Sequence, residues 1–341
     1  MNWLSFSARY LVNVEDLNNV ESAGNYVRHR RAPIVLKDDG VYKIIYAPAV
    51  SGEMIAHGYQ MNLVEIASQR NLPVDELAKQ GVLLKRGAGD IVHEKTSCSD
   101  KEGSDYELCV IQEDIVEDVA GFLNPDKLVK RTSNIAFSYM VPALDAAKAA
   151  AIASQFHVRY ATKELIEKYQ KKSNQKENIN IQSLYNVETA SASYVLTGYL
   201  NLAGIGKTQT YPVKEIQENQ KDGKTLRQKA AVDALVLTLT QFLFGAKRTR
   251  FNPLIEIEAI VVAISEKPFN LPPINGNIDE YIKLAKSTAK SFSSVLGIDE
   301  PTITFYARGV EGSAANPVEV FKEAKSKLDN VGNQGEKKGK K

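Results

Sequence analysis

The stretch NWLSFSARYLVN, residues 2–13, decides the fold because its apolar and polar side chains alternate. The apolar set is Leu4, Phe6, Ala8, Tyr10 and Val12, and the polar set is Ser5, Ser7, Arg9 and Asn13. A period of two is typical of a strand with one face on a core and the other face exposed. We therefore predict a core strand whose polar face, with Arg9 and Asn13, is open to a ligand.

Five further elements extend this strand into a fold. Residues 51–70 have the apolar spacing of a helix and begin at Ser51, a good N-cap residue. The other elements are strands at 156–161 and 188–203, a helix at 225–244 and a strand at 254–265. The order strand, helix, strand, strand, helix, strand is that of ferredoxin-like domains. We predict an α+β fold with an RRM-like βαββαβ palm.

Two long insertions and a tail surround this palm. Residues 71–134 form the first insertion, and its segment 90–118 holds ten acidic residues against two lysines, which predicts an acidic lobe. Residues 162–186 are lysine-rich without an apolar stripe, which predicts a mobile protrusion. The tail 332–341 has no large apolar residue and is expected to be disordered. We predict one elaborated domain over residues 1–331.

Two more elements, a hairpin and a helix, are predicted from short sequence patterns. Asp39-Gly40 stands between two apolar runs and predicts a hairpin turn. Residues 278–296 have a helical apolar stripe, with Gly297 as the residue that ends the helix.

The overall composition excludes a membrane protein and leaves nucleic-acid binding open. The net charge is only +2, but binding depends on local basic surfaces rather than on the total. No signal peptide is recognised, and the most apolar stretch, 231–244, is too short to cross a bilayer. A soluble cytoplasmic protein is expected. Cys98 and Cys109 lack zinc or redox spacing, so two buried thiols are expected, or a disulfide if the source is a hyperthermophile.

The motifs for catalysis are weak. GIGKT, residues 204–208, resembles the end of a phosphate-binding loop, but Asn201 stands where the first glycine is needed, so a simple loop is predicted. No pair of the four histidines has metal-ligand spacing, and no nucleophile motif is present. We predict no catalytic residues, no metal and no cofactor.

Basic clusters in loops, with tyrosines and a phenylalanine nearby, are the stronger signal. Lysine and arginine contact phosphates, and aromatic rings stack on bases, which together bind single-stranded nucleic acid. The start of the helix at Ser51-Gly52 is an additional predicted phosphate-binding site. The candidate RNA-binding residues are Arg9, Asn13, Asn18, Asn25, His29, Arg30, Arg31, Ser51, Gly52, Arg131, His157, Arg159, Lys171, Lys172, Lys247, Arg248 and Arg250.

Four runs of sequence resemble a known family. They are LVNVEDLNNVESAGNYVRHRRAPIVLK (11–37), YAPAVSGEMIAHGYQMNLVEIA (46–67), FHVRYA (156–161) and ASASYVLTGYLNLAGIGK (190–207). These runs look like the DevR-family backbone subunit of the CRISPR surveillance complex Cascade, in its archaeal type I-A form. The resemblance covers roughly residues 5–65 and 130–310, and it does not extend to the acidic insertion or the tail.

The resemblance implies a non-catalytic subunit that coats a guide RNA. Such subunits have an RRM-like palm with finger and thumb elements, and the thumb maps here to 162–186. Copies polymerise in a helical array along the CRISPR RNA, beside other Cascade subunits, and the guide pairs with target DNA. Related subunits in other CRISPR systems cut RNA with a loop aspartate. The corresponding loop here has Glu15 and Asp16, for which we predict no nuclease activity.

Two alternatives remain open from the sequence. The first is a guide-processing endoribonuclease of the same RRM-like superfamily, with His157 or His29 as acid or base. The second is a scaffold protein whose basic loops are only solvated surface.

Overall fold

The computed structural model describes residues 1–23, 26–89, 98–159, 162, 164, 183–217 and 223–329. The strands are β1 (Trp3–Glu15), β2 (Asn19–Ala23), β3 (Tyr26–His29), β4 (Arg31–Asp38), β5 (Val41–Pro48), β6 (Phe122–Asn124), β7 (Val129–Arg131), β8 (Ile135–Phe137), β9 (Val141–Pro142), β10 (Ala151–Arg159), β11 (Ser183–Asn201), β12 (Leu254–Ser265) and β13 (Thr302–Ala307). The helices are α1 (Gly52–Gln69), α2 (Glu76–Lys79), α3 (Gly103–Glu113), α4 (Ile115–Ala120), α5 (Lys224–Gln241), α6 (Arg248–Phe251) and α7 (Ile278–Leu296).

A mixed α+β architecture is built around one central sheet. Its strands run in the order β13-β12-β1-β11-β3-β2, with β8, β9 and β10 also paired to β11. β1 is antiparallel to both β11 and β12, and β10 is antiparallel to β11. β3 is parallel to β11. The six predicted palm elements are present as β1, α1, β10, β11, α5 and β12.

The strand boundaries at β10 and β11 differ from the prediction. β10 begins five residues before the predicted start at 156, and β11 begins at 183 rather than 188. The last residues of the predicted protrusion, 183–186, are therefore part of a strand. Except for residues 162 and 164, the rest of that protrusion lies outside the described residues, as does the tail 332–341.

The predicted core face of β1 is confirmed. Its five alternating apolar side chains are fully buried and pack with α1 and α5 into the largest apolar cluster of the described chain. Two buried tyrosines add hydrogen bonds between the layers. The Tyr10 hydroxyl donates to the carbonyl of Leu239 at 2.9 Å, and the Tyr59 hydroxyl donates to the carbonyl of Ala231 at 3.1 Å.

The opposite face of β1 is covered, so the prediction of an open polar face is wrong. Ser5 and Ser7 are fully buried, and the Ser5 hydroxyl donates to the carbonyl of Phe269 at 2.6 Å. The predicted third helix, α7, packs on this side of the sheet with the chain that precedes it, and Gly297 follows it with φ of +62°. Serine and alanine side chains on the neighbouring strands are small enough to let a second apolar layer lie close to the sheet.

The predicted hairpin is confirmed as β4 and β5, with Asp39 and Gly40 in the turn. Both turn residues have positive φ, +49° and +81°, as a tight two-residue turn requires. One side of this hairpin packs on the body of the protein through Ile34, Leu36 and Ala47.

In the described part of the first insertion, only some of the acidic side chains lie at the surface. Exposed carboxylates are present at Asp100, Glu102 and Asp105, but several others lie buried in ion pairs with arginines. Burial raises the pKa of Glu117 to about 7 even though Arg86 opposes that shift. Cys98 and Cys109 are disulfide-bonded. The expectation of two buried thiols is therefore wrong, and the alternative of a disulfide is correct. Among the described residues, no helix is long and apolar enough to cross a membrane.

Candidate nucleic-acid interface

Three chain segments meet where β1 ends: residues 14–18, 26–31 and 245–251. The amide of Ala246 donates to the carbonyl of Leu17 at 2.8 Å, and the amide of Arg30 donates to the carbonyl of Asn18 at 2.9 Å. At Gly245 the backbone has φ of +108°, and a β-carbon there would stand 2.5 Å from the Leu17 side chain. Backbone bonds and one obligatory glycine therefore hold two basic loops beside each other.

A buried carboxylate at Glu15 joins these segments to the sheet. It accepts hydrogen bonds from the Tyr194 hydroxyl at 2.6 Å and from the Leu17 amide at 2.8 Å. Nε2 of His29 lies 2.7 Å from Oε1, the same oxygen that accepts from Tyr194, and both side chains are fully buried. Burial alone would lower the pKa of His29, but the bond to Glu15 and its charge raise that pKa above the ordinary value. The carboxylate of Glu15 therefore favours the protonated form of this buried ring.

A second buried pair fixes the other basic loop. Nζ of Lys247 lies 3.3 Å from Oδ2 of Asp16, whose side chain is fully buried. Burial raises the pKa of Asp16, and the charge of Lys247 opposes that rise. Lys247 therefore faces inward and anchors its loop.

Glu188 on β11 holds the loop of residues 26–31 against the sheet. Its carboxylate accepts from the Tyr26 hydroxyl at 2.7 Å, the His29 amide at 3.0 Å and the Arg31 guanidinium at 2.9 Å. Burial alone would raise the pKa of Glu188, but these donors lower it below the ordinary value. This network leaves Arg28 and much of Arg31 exposed.

Cations and aromatic rings stand together at the surface of this junction. His157 stacks on Tyr185 with centroids 5.1 Å apart, and Phe251 lies edge-on at 6.1 Å. The Arg250 guanidinium lies 4.7 Å from the centre of the Tyr185 ring, and Arg250 is exposed. Arg28 lies over the Tyr26 ring at 5.6 Å in the same way. Exposed guanidinium groups held on rings can contact phosphates while ring faces accept stacked bases.

The predicted residues at this junction fall into two groups. Arg31, Arg250 and part of His157 are accessible, whereas Arg30, Lys247 and Arg248 are half-buried. Nε of Arg30 and Nε of Arg248 are buried without a hydrogen-bond partner in the described part of the chain. Asn13, also half-buried, lies near the end of β1, opposite Leu254.

The prediction that Arg9 and Arg131 bind RNA is wrong, because both side chains are buried in ion pairs. Arg9 lies 3.0 Å from Asp145 and 3.1 Å from Glu258, and its guanidinium donates to the carbonyl of Gly276, just before α7. Arg131 pairs with Glu107 at 2.7 Å and Asp118 at 2.5 Å, and none of these three side chains is exposed. A guanidinium so enclosed cannot meet a phosphate.

The GIGKT loop is part of the same buried network as Arg131, which confirms the prediction of a simple loop. Arg131 donates to the carbonyls of Gly204 and Lys207 at 3.0 and 2.8 Å. The amide of Gly206 donates to Asp118 at 2.9 Å. The loop's donors and acceptors are thus used inside the protein.

Three more predicted residues have structural partners. Asn18 is buried, and its Oδ1 accepts from the Ser51 amide at 2.8 Å. Ser51 is the N-cap of α1, as predicted, with its hydroxyl accepting from the Met54 amide at 3.3 Å. A β-carbon on Gly52 would stand 2.3 Å from the carbonyl oxygen of Phe137. The helix start is therefore packed against β8. Phosphate binding at this helix start stays a prediction.

The side-chain positions of the remaining predicted residues are not described. Asn25, Lys171 and Lys172 lie outside the described residues, and Arg159 is described only as the last residue of β10. Tyr185 and Glu188 were missed by the sequence reasoning. Extending the alternation of β10 across to a longer β11 would have placed Tyr185 directly opposite His157.

Comparisons with known proteins agree with the resemblance in sequence. Residues 6–286 match the family model described as "CRISPR-associated negative auto-regulator DevR/Csa2". The protein "CRISPR-associated protein Cas7/Csa2 1" of Saccharolobus solfataricus is 68% identical over 94% of this chain and 96% of its own length. The "CRISPR-associated aCascade subunit Cas7/Csa2 2" of the same organism is 36% identical over 82% of this chain and 84% of its own length.

Solved structures are also similar in outline. A chain of a "CRISPR RNA-guided surveillance complex, pre-nicking" aligns over 98% of this chain and 100% of that chain, with 10% identity and a TM-score of 0.49. The match to the family model over most of the chain, and the 68% identity to an archaeal relative, establish the family. The chain belongs to the DevR/Csa2 family of CRISPR-associated proteins.

Proposed function

We propose that this protein is a non-catalytic backbone subunit of a Cascade-type complex and binds CRISPR RNA along its sugar-phosphate backbone. One relative carries the description "aCascade subunit", and it is 36% identical to this chain over 287 aligned residues. The observation that carries the proposal is the junction at the end of β1. There, two guanidinium groups, Arg28 and Arg250, are exposed while resting on aromatic rings.

An RRM-like palm is part of this proposal. The strands β12-β1-β11-β10 lie side by side and are all antiparallel, and the two crossover helices α1 and α5 pack on one face. This is the arrangement that a βαββαβ chain adopts when each crossover is right-handed. In this assignment the thumb corresponds to residues 162–186.

The groups at the junction favour binding without sequence preference. Guanidinium ions bind phosphates, and ring faces stack on any base. Recognition of the target sequence would then depend on base pairing between the guide and target DNA. Further copies of the chain would occupy the rest of the guide, with other Cascade subunits beside them.

The surroundings of the candidate acid–base residues support a non-catalytic role. His29 and Asp16 have no exposed side-chain surface, because Glu15 and Lys247 enclose them. His157 is stacked on Tyr185, and a ring held in this way can contact a base without any proton transfer. Cleavage of repeat RNA in the absence of metal, lost in His157→Ala, would instead favour the endoribonuclease alternative.

Purification of the expressed protein tests the proposal directly. We expect RNA of mixed sequence to co-purify at low salt, with excess absorbance at 260 nm that ribonuclease removes. The purified protein should leave repeat RNA intact. A protein that elutes free of nucleic acid and fails to bind any added RNA would support the scaffold alternative and refute the proposal.

A further inference from the structure

The outer side of the β4–β5 hairpin is an exposed apolar surface. The strands pair Pro33 with Tyr46, Val35 with Ile44 and Lys37 with Tyr42, and directly paired residues lie on the same side of a hairpin. We call these six residues the hairpin face. Val35 is 54% exposed, Tyr42 71%, Ile44 67% and Tyr46 73%. The opposite side of the same hairpin is buried on the body of the protein.

This two-sided pattern is unusual for a hairpin at a protein surface. An antiparallel ribbon normally keeps its apolar residues on the covered side and polar residues on the other. Here the centre of the open side is a β-branched pair, Val35 and Ile44, with a tyrosine on each side. Tyrosine with buried aliphatic neighbours is typical of protein interfaces. Its cation, Lys37, lies over the ring of Tyr42 at 5.8 Å, and Arg31, the next residue on this side of β4, is paired with Glu188, so the surface carries little free charge for a phosphate.

The size of the hairpin face indicates which kind of interface it forms. Scaled by their exposed fractions, its apolar residues present roughly 600 Å², near the upper limit for a patch on a monomer. A stable complex needs about 800 Å² on each partner. The surface is therefore too large to be incidental and too small to hold two free molecules together for long. A surface of this size fits a weak contact between two molecules that a third molecule already holds close together.

We propose that the hairpin face docks on the next copy of this chain when copies bind side by side on one RNA. This inference rests on the proposed function, because the RNA supplies the high local concentration that a weak contact needs. A surface that meets a different surface of the next copy produces an open, repeating array. The contact then makes binding of successive copies cooperative.

Ile44→Asp tests the proposal, because it places a charge in the centre of the hairpin face without disturbing the buried side. The matched control is Val295→Asp, at an 83% exposed residue of α7. On an RNA long enough for several copies, Ile44→Asp should bind without cooperativity and with about tenfold weaker apparent affinity. On an RNA that accommodates one copy, its affinity should equal that of the wild type and of the control.

Three results would overturn the inference. Unchanged cooperativity of Ile44→Asp on long RNA would show that the hairpin face makes no contact between copies. Loss of binding to the short RNA as well would show that this surface contacts nucleic acid directly. A Val295→Asp protein that loses cooperativity equally would show a non-specific effect of added charge. Tyr42→Asp, at a residue exposed on the same face, repeats the test if Ile44→Asp is poorly folded.

Sedimentation of the free protein separates this inference from the proposed function. At high concentration the wild type and Val295→Asp should associate weakly, and Ile44→Asp should remain monomeric. If the wild type binds no RNA but shows this difference, the proposed function fails and the hairpin face stands as a self-association surface. If all three proteins sediment alike and the long-RNA experiment shows no difference, the inference fails alone.

Discussion

Arg131→Ala separates a structural arginine from an RNA-binding one. The sequence places Arg131 among the basic clusters, but the structure encloses its side chain completely and gives it Glu107 and Asp118 as ion-pair partners. Removal of the guanidinium would leave both carboxylates buried with fewer donors. Asp118 would keep Arg227 at 3.3 Å, and Glu107 would keep the amides of the loop that follows β11.

The size of the effect follows from this partial compensation. Breaking a buried ion pair by removing one partner costs about 3–5 kcal/mol, and the donors that remain on both carboxylates place this loss near the lower end. In a chain of this length 1 kcal/mol corresponds to about 1.4 °C in the unfolding midpoint, so Arg131→Ala should lower the Tm by about 4–7 °C. RNA affinity measured well below that temperature should not change, since the group never reaches the surface.

Differential scanning calorimetry and RNA binding on the same sample provide the assay. Lys130→Ala is the matched control, because Lys130 is exposed on the same short strand. It should leave the Tm within about 1 °C. An Arg131→Ala protein with an unchanged Tm and weakened RNA binding would refute the assignment of Arg131 to the buried network.

Three further predictions concern stability. Because its buried carboxylate partner raises the pKa of His29, the stability lost in His29→Asn should contain a pH-dependent part. That part should be largest below about pH 6.5 and disappear as pH rises through the raised pKa, so a Tm difference independent of pH would contradict this. Reduction of the Cys98–Cys109 disulfide, which spans a separation of 11 residues, should cost about 3 kcal/mol in urea unfolding. A Cys98→Ser, Cys109→Ser protein should not respond to reductant. Gly52→Ala should cost about 1–3 kcal/mol, because its β-carbon meets a carbonyl of β8, whereas Gly276→Ala, with open space around it, should be neutral.

The six strands and helices assigned to a palm could be predicted because their signals are local. Alternation over residues 2–13 and helical spacing over 51–70 depend on which side chains a single element buries, and the structure confirms both elements. The same logic failed for the second face of β1. Whether Ser5 and Arg9 are open or covered depends on α7, which lies more than 260 residues away in the sequence.

Which basic residues are accessible could be predicted only in part. Arg250 and Arg131 look alike in the sequence, since each is a cation in a polar segment beside a strand. Their difference lies in partners on other elements, Tyr185 for the first and Asp118 with Glu107 for the second. Burial of such acidic partners also means that only some of the acidic side chains in the described part of the first insertion lie at its surface.

The central claim is that exposed cations at the end of β1 bind the RNA backbone, and its most direct test is the salt dependence of RNA affinity. If about four phosphates are neutralised per subunit, log K should fall against log salt with a slope near −3 for the wild type. Arg28→Ala, Arg250→Ala should reduce that slope to about −1.5, because two phosphate contacts are lost, at an unchanged Tm. Salt-insensitive binding by the wild type, or the same slope in the double variant, would contradict the account.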